Sequence, residues 1–500
     1  MFIEVLCFLI VLLFLYHYYQ RQKDPPGPIG WPVFGSTPER LYWYLTGRKY
    51  SQSKCYSEMK EKYGALWSRK LFHIREIVFA SYELIYESLV IQGTQFSNRP
   101  KDLPIMDYVS KKGGIIFIGG KYWKAHRKDT LKIMHKLGMN NLTIEDKVVQ
   151  ESEKLLQEIF KSANKPVKSD KLYSKPVMNI ICQLMLNRSF EYDDQKFINV
   201  IKNIQVIGQD GNVNLLFFMR SIINFWIFRE TFKSVRIYMD NLEELEEWVE
   251  SQLDATSEKF NPEFDNPSCI LEHYLVLQKQ QESNGESSDL YSKHQIIRNC
   301  FDIYGAGIDT TTHMLCWCTL MLGLKPDFQT RIRNEIKANK SNSPMNFNTT
   351  KSFHFFKAFL DECFRYFPVI QRAVHAVEKP IDFKGFHLVP RDLLMMDFKT
   401  LSKDPDIWKD PEEFDPFRFM DETRHLYNPN KHLIAFGIGK RSCMGENLAR
   451  CELTIILLSI IQTFEIKLTQ NTLENINLII SGTEGLIYAP LEHEIIYIPI

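Results

Sequence analysis

One ten-residue segment, 436–445, constrains this chain more than any other. It contains three glycines, which allow a backbone that turns tightly or approaches a flat group closely. A single cysteine, Cys443, ends the turn immediately before an apolar helix predicted over about 444–461. The N–H groups and dipole at the start of that helix would stabilise a thiolate. Viewed alone, the segment would be interpreted as a loop with a buried structural cysteine.

The composition excludes two classes of protein. Lysine plus arginine and aspartate plus glutamate both total 61, so the formal net charge is zero, and a nucleic-acid binder held by a general basic field is excluded. The ten cysteines are too sparse for a disulfide scaffold and include no CxxC pair, which disfavours structural zinc. The bulk of the chain is predicted to be reduced and to face the cytosol.

The N-terminus is predicted to be a membrane anchor. Residues 2–19 are almost entirely apolar, and as a helix they would measure ~27 Å, close to the thickness of a bilayer core. Arg21 and Lys23 follow directly and favour a cytosolic flank. We therefore expect a single transmembrane signal-anchor over 1–20 and a stiff Pro/Gly-rich linker over 21–36. A buried N-terminal helix is the alternative, and a cleaved signal peptide fits less well.

Residues 37–500 are expected to form one catalytic domain, because no repeat, low-complexity tract or second linker interrupts them. Two segments, 65–80 and 462–500, alternate apolar and polar residues as strands do. The fold class is therefore mainly α with small β-sheets. The predicted helices cover roughly 52–63, 145–163, 177–188, 233–258, 293–323, 326–337 and 353–366.

The cysteine segment matches a known family. Phe436, Gly439, Arg441, Cys443 and Gly445 together fit the pattern FxxGxRxCxG. This pattern resembles the haem-binding loop of the cytochrome P-450 haem-thiolate monooxygenases. The resemblance implies the α-rich fold of that family and haem b as cofactor. It also implies that Cys443 is the axial iron ligand, that Arg441 pairs with a haem propionate and that Phe436 belongs to the cofactor site.

Three further segments follow in the order of the same family. Glu362 and Arg365 resemble its ExxR element, three residues apart on one helix face, where a bidentate ion pair forms. Arg418, within a segment like PxRF, joins that structural network by resemblance. Trp123 and Arg127 resemble the family's WxxxR element, whose side chains meet the propionates. The resemblance extends over essentially the whole chain.

The apolar stretch 293–323 carries a candidate proton relay. Gly305 and Gly307 each cost about 1 kcal/mol relative to alanine within a helix, so they need a reason. They would let the helix pass close over the haem, where the family has the similar element [AG]Gx[DE]T[TS]. Asp309 and Thr310 are the predicted carboxylate and hydroxyl that deliver protons to bound oxygen. In isolation, a mid-helix irregularity would explain the glycines.

The resemblance implies an activity and its partners. The protein is expected to insert one oxygen atom from O2 into a lipophilic steroid, fatty acid, terpenoid or xenobiotic. Electrons would come from NADPH through an NADPH-cytochrome reductase, and the resemblance also admits cytochrome b5 as a donor. A cytosolic catalytic domain on the endoplasmic reticulum membrane is implied. The alternative is a haem-thiolate protein without monooxygenase activity, either a rearrangement enzyme or a ligand-binding protein. Five lysines are expected either to form a cationic docking face for the reductase or to be scattered, solvated residues: Lys121, Lys124, Lys128, Lys431 and Lys440.

Two further segments prompt predictions. Residues 215–228 are crowded with large apolar side chains and are expected either to rest on the membrane near the substrate entrance or to form a buried core helix. After the ExxR helix, the chain lacks two prolines that microsomal relatives usually have. There, Arg372 is expected to pair with a propionate or to select substrates with an acceptor group such as a carboxylate. His375 is either a propionate contact or a simple loop histidine.

Overall fold

In the computed structural model, helices account for most of the ordered structure. The described residues are 2–38, 51–72, 74–100, 110–138, 142–209, 233–285, 289–339, 349–483 and 485–500. The segment 215–228 therefore lies outside the described residues.

The described helices confirm the predicted fold class, mainly α with small sheets. Short 3₁₀ turns span Thr349–Ser352, Pro416–Phe419 and Gly439–Arg441, and one π-helical turn spans Glu87–Ile91. The α-helices are Phe2–Arg21, Gln52–Tyr63, Tyr82–Tyr86, Gly120–Lys136, Leu142–Lys161, Ser169–Leu186, Gln195–Gln209, Lys233–Ser257, Ile270–Ser283, Lys293–Leu324, Pro326–Ala338, His354–Tyr366, Phe398–Ser402, Glu446–Thr463, Gln470–Glu474 and Ile476–Ser481.

Three small sheets accompany the helices. The largest contains, in spatial order, Leu66–Leu71, Ile74–Phe79, Leu393–Asp397 and Arg372–His375, and its two central strands run parallel while the outer pairs are antiparallel. The second is antiparallel, in the order Pro166–Lys168, Glu494–Pro499 and Phe464–Leu468. The third is the hairpin Ile381–Phe383 with Phe386–Leu388.

The helix Lys293–Leu324 is the centre of the main core. It is buried on nearly every side, as expected for a helix that is apolar around most of its circumference. Ser292 caps its start by accepting a hydrogen bond from the backbone N–H of Gln295. The helix packs against Ser169–Leu186, and a side chain at Gly307 would come within 2.7 Å of Ile181 Cδ1. The glycine therefore permits the close packing that fixes the height of this helix.

The strand prediction for 462–500 is only partly right. Its two ends are strands, but the helices Gln470–Glu474 and Ile476–Ser481 lie between them. Thr469 starts the first of these helices by accepting a hydrogen bond from the Thr472 N–H. A local cap therefore outweighs the alternating pattern there.

The N-terminal segment forms the helix Phe2–Arg21, and most of its large apolar side chains are exposed. By length and mean hydropathy, however, none of the described helices qualifies as a membrane span. The predicted span over 1–20 is therefore not supported.

Arg21 differs from the free cytosolic flank that the sequence predicts. Its guanidinium is buried and donates hydrogen bonds to the Pro25 carbonyl at 2.9 Å and to Ser68 Oγ at 2.8 Å. It also lies 3.5 Å from the Asp24 carboxylate, and burial lowers its pKa. A buried guanidinium needs such partners, so Arg21 fastens the end of the helix to the strand Leu66–Leu71.

Candidate active site

The cysteine loop is a tight turn that only glycine permits. The Cys443 N–H donates to the Phe436 carbonyl at 2.9 Å and closes the turn. Gly437 and Gly439 adopt φ values of 69° and 75°, in the left-handed region that side chains disfavour. A Cβ at Gly439 would also clash with the backbone oxygen of Leu89. These constraints place Cys443 at the end of the turn, as predicted.

Cys443 is one of the few accessible thiols. All ten cysteines lie in described residues, and only Cys443 and Cys7, which is on the N-terminal helix, are exposed. The Cys443 thiol is nevertheless surrounded by protein, and burial raises its pKa. The backbone N–H groups of Gly445 and Glu446 and the charge of Arg127 act in the opposite direction. These donors favour the thiolate, the form that binds metals.

Arg441 fastens this loop to a segment far away in sequence. Its guanidinium donates to the carbonyls of Ser97, Ile115 and Ile118 at 2.8, 3.0 and 2.6 Å. It also lies over the Trp123 ring, 3.6 Å from the ring centroid. The structure therefore brings together two of the predicted cofactor residues, Arg441 and Trp123.

Cationic side chains converge beside the loop. Burial and the charges of Arg99 and Arg127 lower the pKa of Arg441 to about 7. Arg127 lies close enough to the loop to donate to the Ser442 carbonyl at 2.6 Å. His375 is buried nearby, where burial and the charges of Arg99 and Arg441 hold its pKa well below the usual range. Such mutual repulsion is relieved by an anion, so the cluster is built to receive one.

The same region has the features that a haem requires. The Trp123 Nε1 atom is buried and has no hydrogen-bond partner among the described residues. Because buried donors are nearly always paired, this N–H is available to an acceptor on a cofactor. A Cβ at Gly305 would meet nothing within 4 Å, and Ala306 is exposed although the helix around it is buried. An open space, a thiol at Cys443 and the arginine cluster suit a flat cofactor with two carboxylates. The residues present therefore fit haem.

The structure separates the two side chains of the predicted proton relay. The Thr310 hydroxyl is half-buried and donates to the Ala306 carbonyl at 2.7 Å. Asp309 is buried, with Oδ1 2.8 Å from His313 Nε2 and Oδ2 against the backbone of Gly208. No described hydrogen bond joins Asp309 to Thr310, so their joint role stays a prediction.

The structure brings together the three residues of the predicted structural network. Arg365 donates to both carboxylate oxygens of Glu362, each at 2.7 Å, and Arg418 Nε adds a third contact at 3.1 Å. The same Arg365 guanidinium donates to the carbonyls of Ser402 and Pro411 at 2.8 and 2.9 Å. Glu362 and Arg365 are completely buried. The network joins the helix His354–Tyr366 to the segment that follows Phe398–Ser402.

Aromatic and charged contacts connect that helix to the cysteine loop. The Phe436 ring meets the Phe364 ring edge-on, 4.9 Å between centroids. Arg450 lies over both rings at about 5 Å and pairs with Asp361 at 2.9 Å. Phe436 therefore supports the loop through its contact with the helix His354–Tyr366.

Arg372 has partners within the protein. Its Nε lies 3.5 Å from Asp397 Oδ1, Nη2 donates to Ser53 Oγ at 3.2 Å, and the guanidinium covers the Tyr56 ring at 4.2 Å. Arg372 and Asp397 are directly opposite each other on paired strands. The ion pair with Asp397 compensates the charge of Arg372, so the structure gives no support to a substrate or propionate contact. His375, on the other face of its strand, is the residue that lies at the arginine cluster.

Two residues of the site were missed by sequence reasoning. Arg99 donates to the Ile116 carbonyl at 2.7 Å and to the Val374 carbonyl, and it acts electrostatically on Arg441. The available signal for Arg99 in the sequence was its position directly before a proline. His313 lies four residues after Asp309, a spacing that places both on one helix face.

Comparison with known proteins agrees with this geometry. The family model described as Cytochrome P450 matches residues 25–491. The chain is 26% identical to "Cytochrome P450 2U1" of Homo sapiens, over 97% of this chain and 91% of the relative. It is also 26% identical to "Cytochrome P450 2C3" of Oryctolagus cuniculus, over 96% and 95%, and 27% identical to "Cytochrome P450 2C38" of Mus musculus, over 98% and 97%.

The family match covers the whole body of the chain, and it supplies the cofactor, haem b with a cysteine thiolate as axial ligand. Cys443 is the cysteine of the matching loop. The chain therefore belongs to the cytochrome P450 family and is a monooxygenase.

Proposed function

We propose that the protein inserts one atom of O2 into a lipophilic small molecule, with electrons from NADPH delivered by a reductase. The arrangement of Cys443 beside the arginine cluster carries this proposal. When bound, haem activates dioxygen, and thiolate ligation favours O–O cleavage. Residues 37–500 act as one catalytic domain in this proposal.

The residues of the site divide the work. Cys443 ligates iron, and Arg441, Arg127 and Trp123 bind the propionates. Phe436 packs behind the loop and keeps it in place. The network of Glu362, Arg365 and Arg418 holds the helix beneath the loop, at a distance from substrate. Asp309 and Thr310 deliver protons.

Replacing Thr310 by alanine, or Asp309 by asparagine, tests the proton-delivery step. Each variant is expected to retain the cofactor but to form about 10²-fold less product, because a positioned acid or hydroxyl contributes that much to proton transfer. Electrons from NADPH should appear as hydrogen peroxide instead. The measurement is product formed and peroxide released per NADPH consumed.

Thr319→Ala is a matched control, because Thr319 lies on the same helix and its hydroxyl also donates to the carbonyl four residues earlier, at 2.8 Å. Thr319 is fully buried, whereas Thr310 is only half-buried and follows the exposed Ala306 by one helical turn. Unchanged coupling in both the Thr310 and Asp309 variants would show that protons arrive by another route.

The electron donor is proposed to dock beside the cysteine loop. An NADPH-cytochrome reductase with acidic groups at its docking face would suit a cationic surface, and cytochrome b5 is a second candidate. The five predicted docking lysines are all exposed: Lys121, Lys124, Lys128, Lys431 and Lys440. This exposure supports the proposal.

Attachment to the endoplasmic reticulum membrane is proposed to occur through the helix Phe2–Arg21. Its side chains from Val5 to Leu15 are largely apolar and about half exposed, which leaves an unfavourable surface in water. Trp31 and Val33, in the linker, are also exposed apolar side chains, at 61% and 68% exposure. The catalytic domain would then lie on the cytosolic side.

Deleting residues 2–16 is expected to release most of the protein from microsomes without unfolding it. The deletion keeps His17 and Arg21, which contact the Ile29 carbonyl at 2.8 Å and the Pro28 carbonyl at 3.1 Å. Membrane and soluble fractions are compared after a high-salt wash. Complete retention in the membrane would contradict attachment through this helix alone.

A further inference from the structure

The N-terminal helix is held at its last turn by the rest of the described chain. Residues 4–16 are all exposed, so no face of this part of the helix packs against the domain that the structure describes. His17 and Arg21, in contrast, are buried. They contact the carbonyls of Ile29 and Pro28, both in the linker, at 2.8 and 3.1 Å. The direction of the helix is therefore set where its last turn meets the linker.

Charged side chains fasten this linker to the largest sheet. Arg75, on a central strand, donates to Asp24 Oδ1 at 2.7 Å and to Asp392 Oδ1 at 2.9 Å. Asp24 is buried in the linker and lies 3.5 Å from the Arg21 guanidinium. Asp392 is fixed in turn by the Val389 N–H, which donates to Oδ2 at 2.7 Å. Ion pairs therefore run from the sheet to the last turn of the helix, and because they are largely buried, salt screens them little.

The backbone of the linker is also bound to the strand Leu66–Leu71. The Ser68 N–H donates to the Pro26 carbonyl at 2.8 Å, and the Ser68 hydroxyl donates to the Pro25 carbonyl at 2.8 Å. A Cβ at Gly27 would clash with the Ser68 carbonyl oxygen, so the two backbones are in direct contact. Because proline fixes φ, the linker has little freedom to bend between these contacts. It is a rigid base for the helix.

A turn beside this base exposes a second group of apolar side chains. Trp31 and Gly35 close the turn with two backbone hydrogen bonds, at 2.8 and 2.7 Å. The exposed side chains are Ile29, Trp31, Val33 and Phe34. Val33 has a φ of 68°, a conformation that β-branched residues rarely adopt. Such strain persists where the surrounding structure imposes it, and it is concentrated at functional sites.

The turn lies at the level where a bilayer covering residues 4–16 would end. His17, the first buried residue of the helix, contacts the carbonyl of Ile29, two residues before Trp31. Tyr16 is exposed immediately before His17. Tyrosine and tryptophan favour the boundary between membrane and water. A bilayer that covers the helix would therefore also cover the apolar side chains of the turn.

We propose that a phospholipid bilayer contacts the protein at both the helix and the turn, in one orientation fixed by the ion pairs of Arg75 with Asp24 and Asp392. The helix supplies the attachment, and the turn enters the headgroup region beside it. Because the ion pairs keep the helix in one direction relative to the domain, the same face always meets the lipid. The inference rests on the proposed attachment to the membrane and adds to it a second contact and a fixed orientation.

A fluorescent label at position 33 tests the second contact. Val33→Cys is labelled in a Cys7→Ala background, as full-length protein loaded with haem. It is bound to phosphatidylcholine vesicles whose headgroups carry spin labels, which quench a dye that is close to them. The label should lose most of its fluorescence. Phe264→Cys is the matched control, because Phe264 is an exposed apolar residue in the loop before the helix Ile270–Ser283, and its label should stay bright.

Asp24→Asn tests the fixed orientation. It removes the charge between Arg21 and Arg75 but keeps the size of the side chain, so the helix should stay in the bilayer while the label at position 33 regains fluorescence. Asp254→Asn is the matched control, since Asp254 pairs with Lys293 at 2.8 Å where both are about half exposed, and quenching should not change. Arg75→Met gives the same information if Asp24→Asn does not fold.

Equal fluorescence of the two labelled positions in vesicle-bound protein would overturn the second contact. Full quenching at position 33 in both Asp24→Asn and Arg75→Met would overturn the fixed orientation. A change in fluorescence that follows the protein concentration, and not the lipid, would show that the turn binds a second copy of the chain instead. Protein that does not bind the vesicles at all would contradict the proposed membrane attachment itself.

Discussion

Cys443→Ala is expected to abolish the red-shifted absorbance that reduced, carbon-monoxide-treated haem shows when a thiolate is its axial ligand. The other exposed cysteine, Cys7, lies on the N-terminal helix, so no second fully exposed thiol of the body can take over. Burial also raises the pKa of other thiols, such as Cys451. The difference spectrum and the haem content are measured together.

Two companion variants sharpen the result. Cys7→Ala removes the other exposed cysteine and should leave the band unchanged. Cys443→His should retain haem with the band moved to the position typical of a histidine ligand. Survival of the thiolate band in Cys443→Ala, or its absence from haem-loaded wild type, would disprove the ligand assignment.

Arg365→Leu is expected to have the second largest effect. The substitution leaves the Glu362 carboxylate fully buried with only part of its hydrogen bonding, from Arg418 and from the Asp415 N–H at 2.8 Å. Breaking a buried ion pair by removing one partner costs about 3–5 kcal/mol of folding free energy. Denaturant unfolding and the fraction of chains that retain haem are the two measurements.

The exposed pair Lys54–Glu58 provides the control. Its side chains are 77% and 57% exposed and 3.9 Å apart, so Glu58→Gln should change stability little. A loss after Arg365→Leu no larger than that of the control would show that the network does not hold the cysteine loop. The hydrogen bonds of Arg365 go to Glu362 and to backbone carbonyls, so the substitution acts on the fold and not on the reaction itself. The fraction of chains that retain haem should therefore fall, whether or not activity is assayed.

The sequence predicted the parts of the site that local pattern determines. The glycine turn, Cys443 and the pairing of Glu362 with Arg365 depend on residues within ten positions of each other, and the structure places them as expected. The central helix was also recognisable, because a long stretch that is apolar on every face must be buried.

Other features depend on contacts that local pattern does not show. Arg372 is paired by Asp397, which lies opposite it on a neighbouring strand. Since side chains alternate across a strand, Arg372 and His375 point to opposite faces of the sheet. Knowledge of the strand register would have directed attention to His375 instead. The contact between Asp309 and Gly208 likewise depends on how two helices meet.

The three backbone contacts of Arg441 set a limit on when this protein can acquire its cofactor during synthesis. They join residues separated by 323 to 344 positions, so Ser97, Ile115 and Ile118 are made long before the arginine that binds their carbonyls. At ribosomal rates of about 5–20 residues per second, these three residues wait for tens of seconds. Haem capture is therefore a late event, completed only after nearly the whole chain has left the ribosome, and a nascent chain that stops before residue 441 has no closed site to offer.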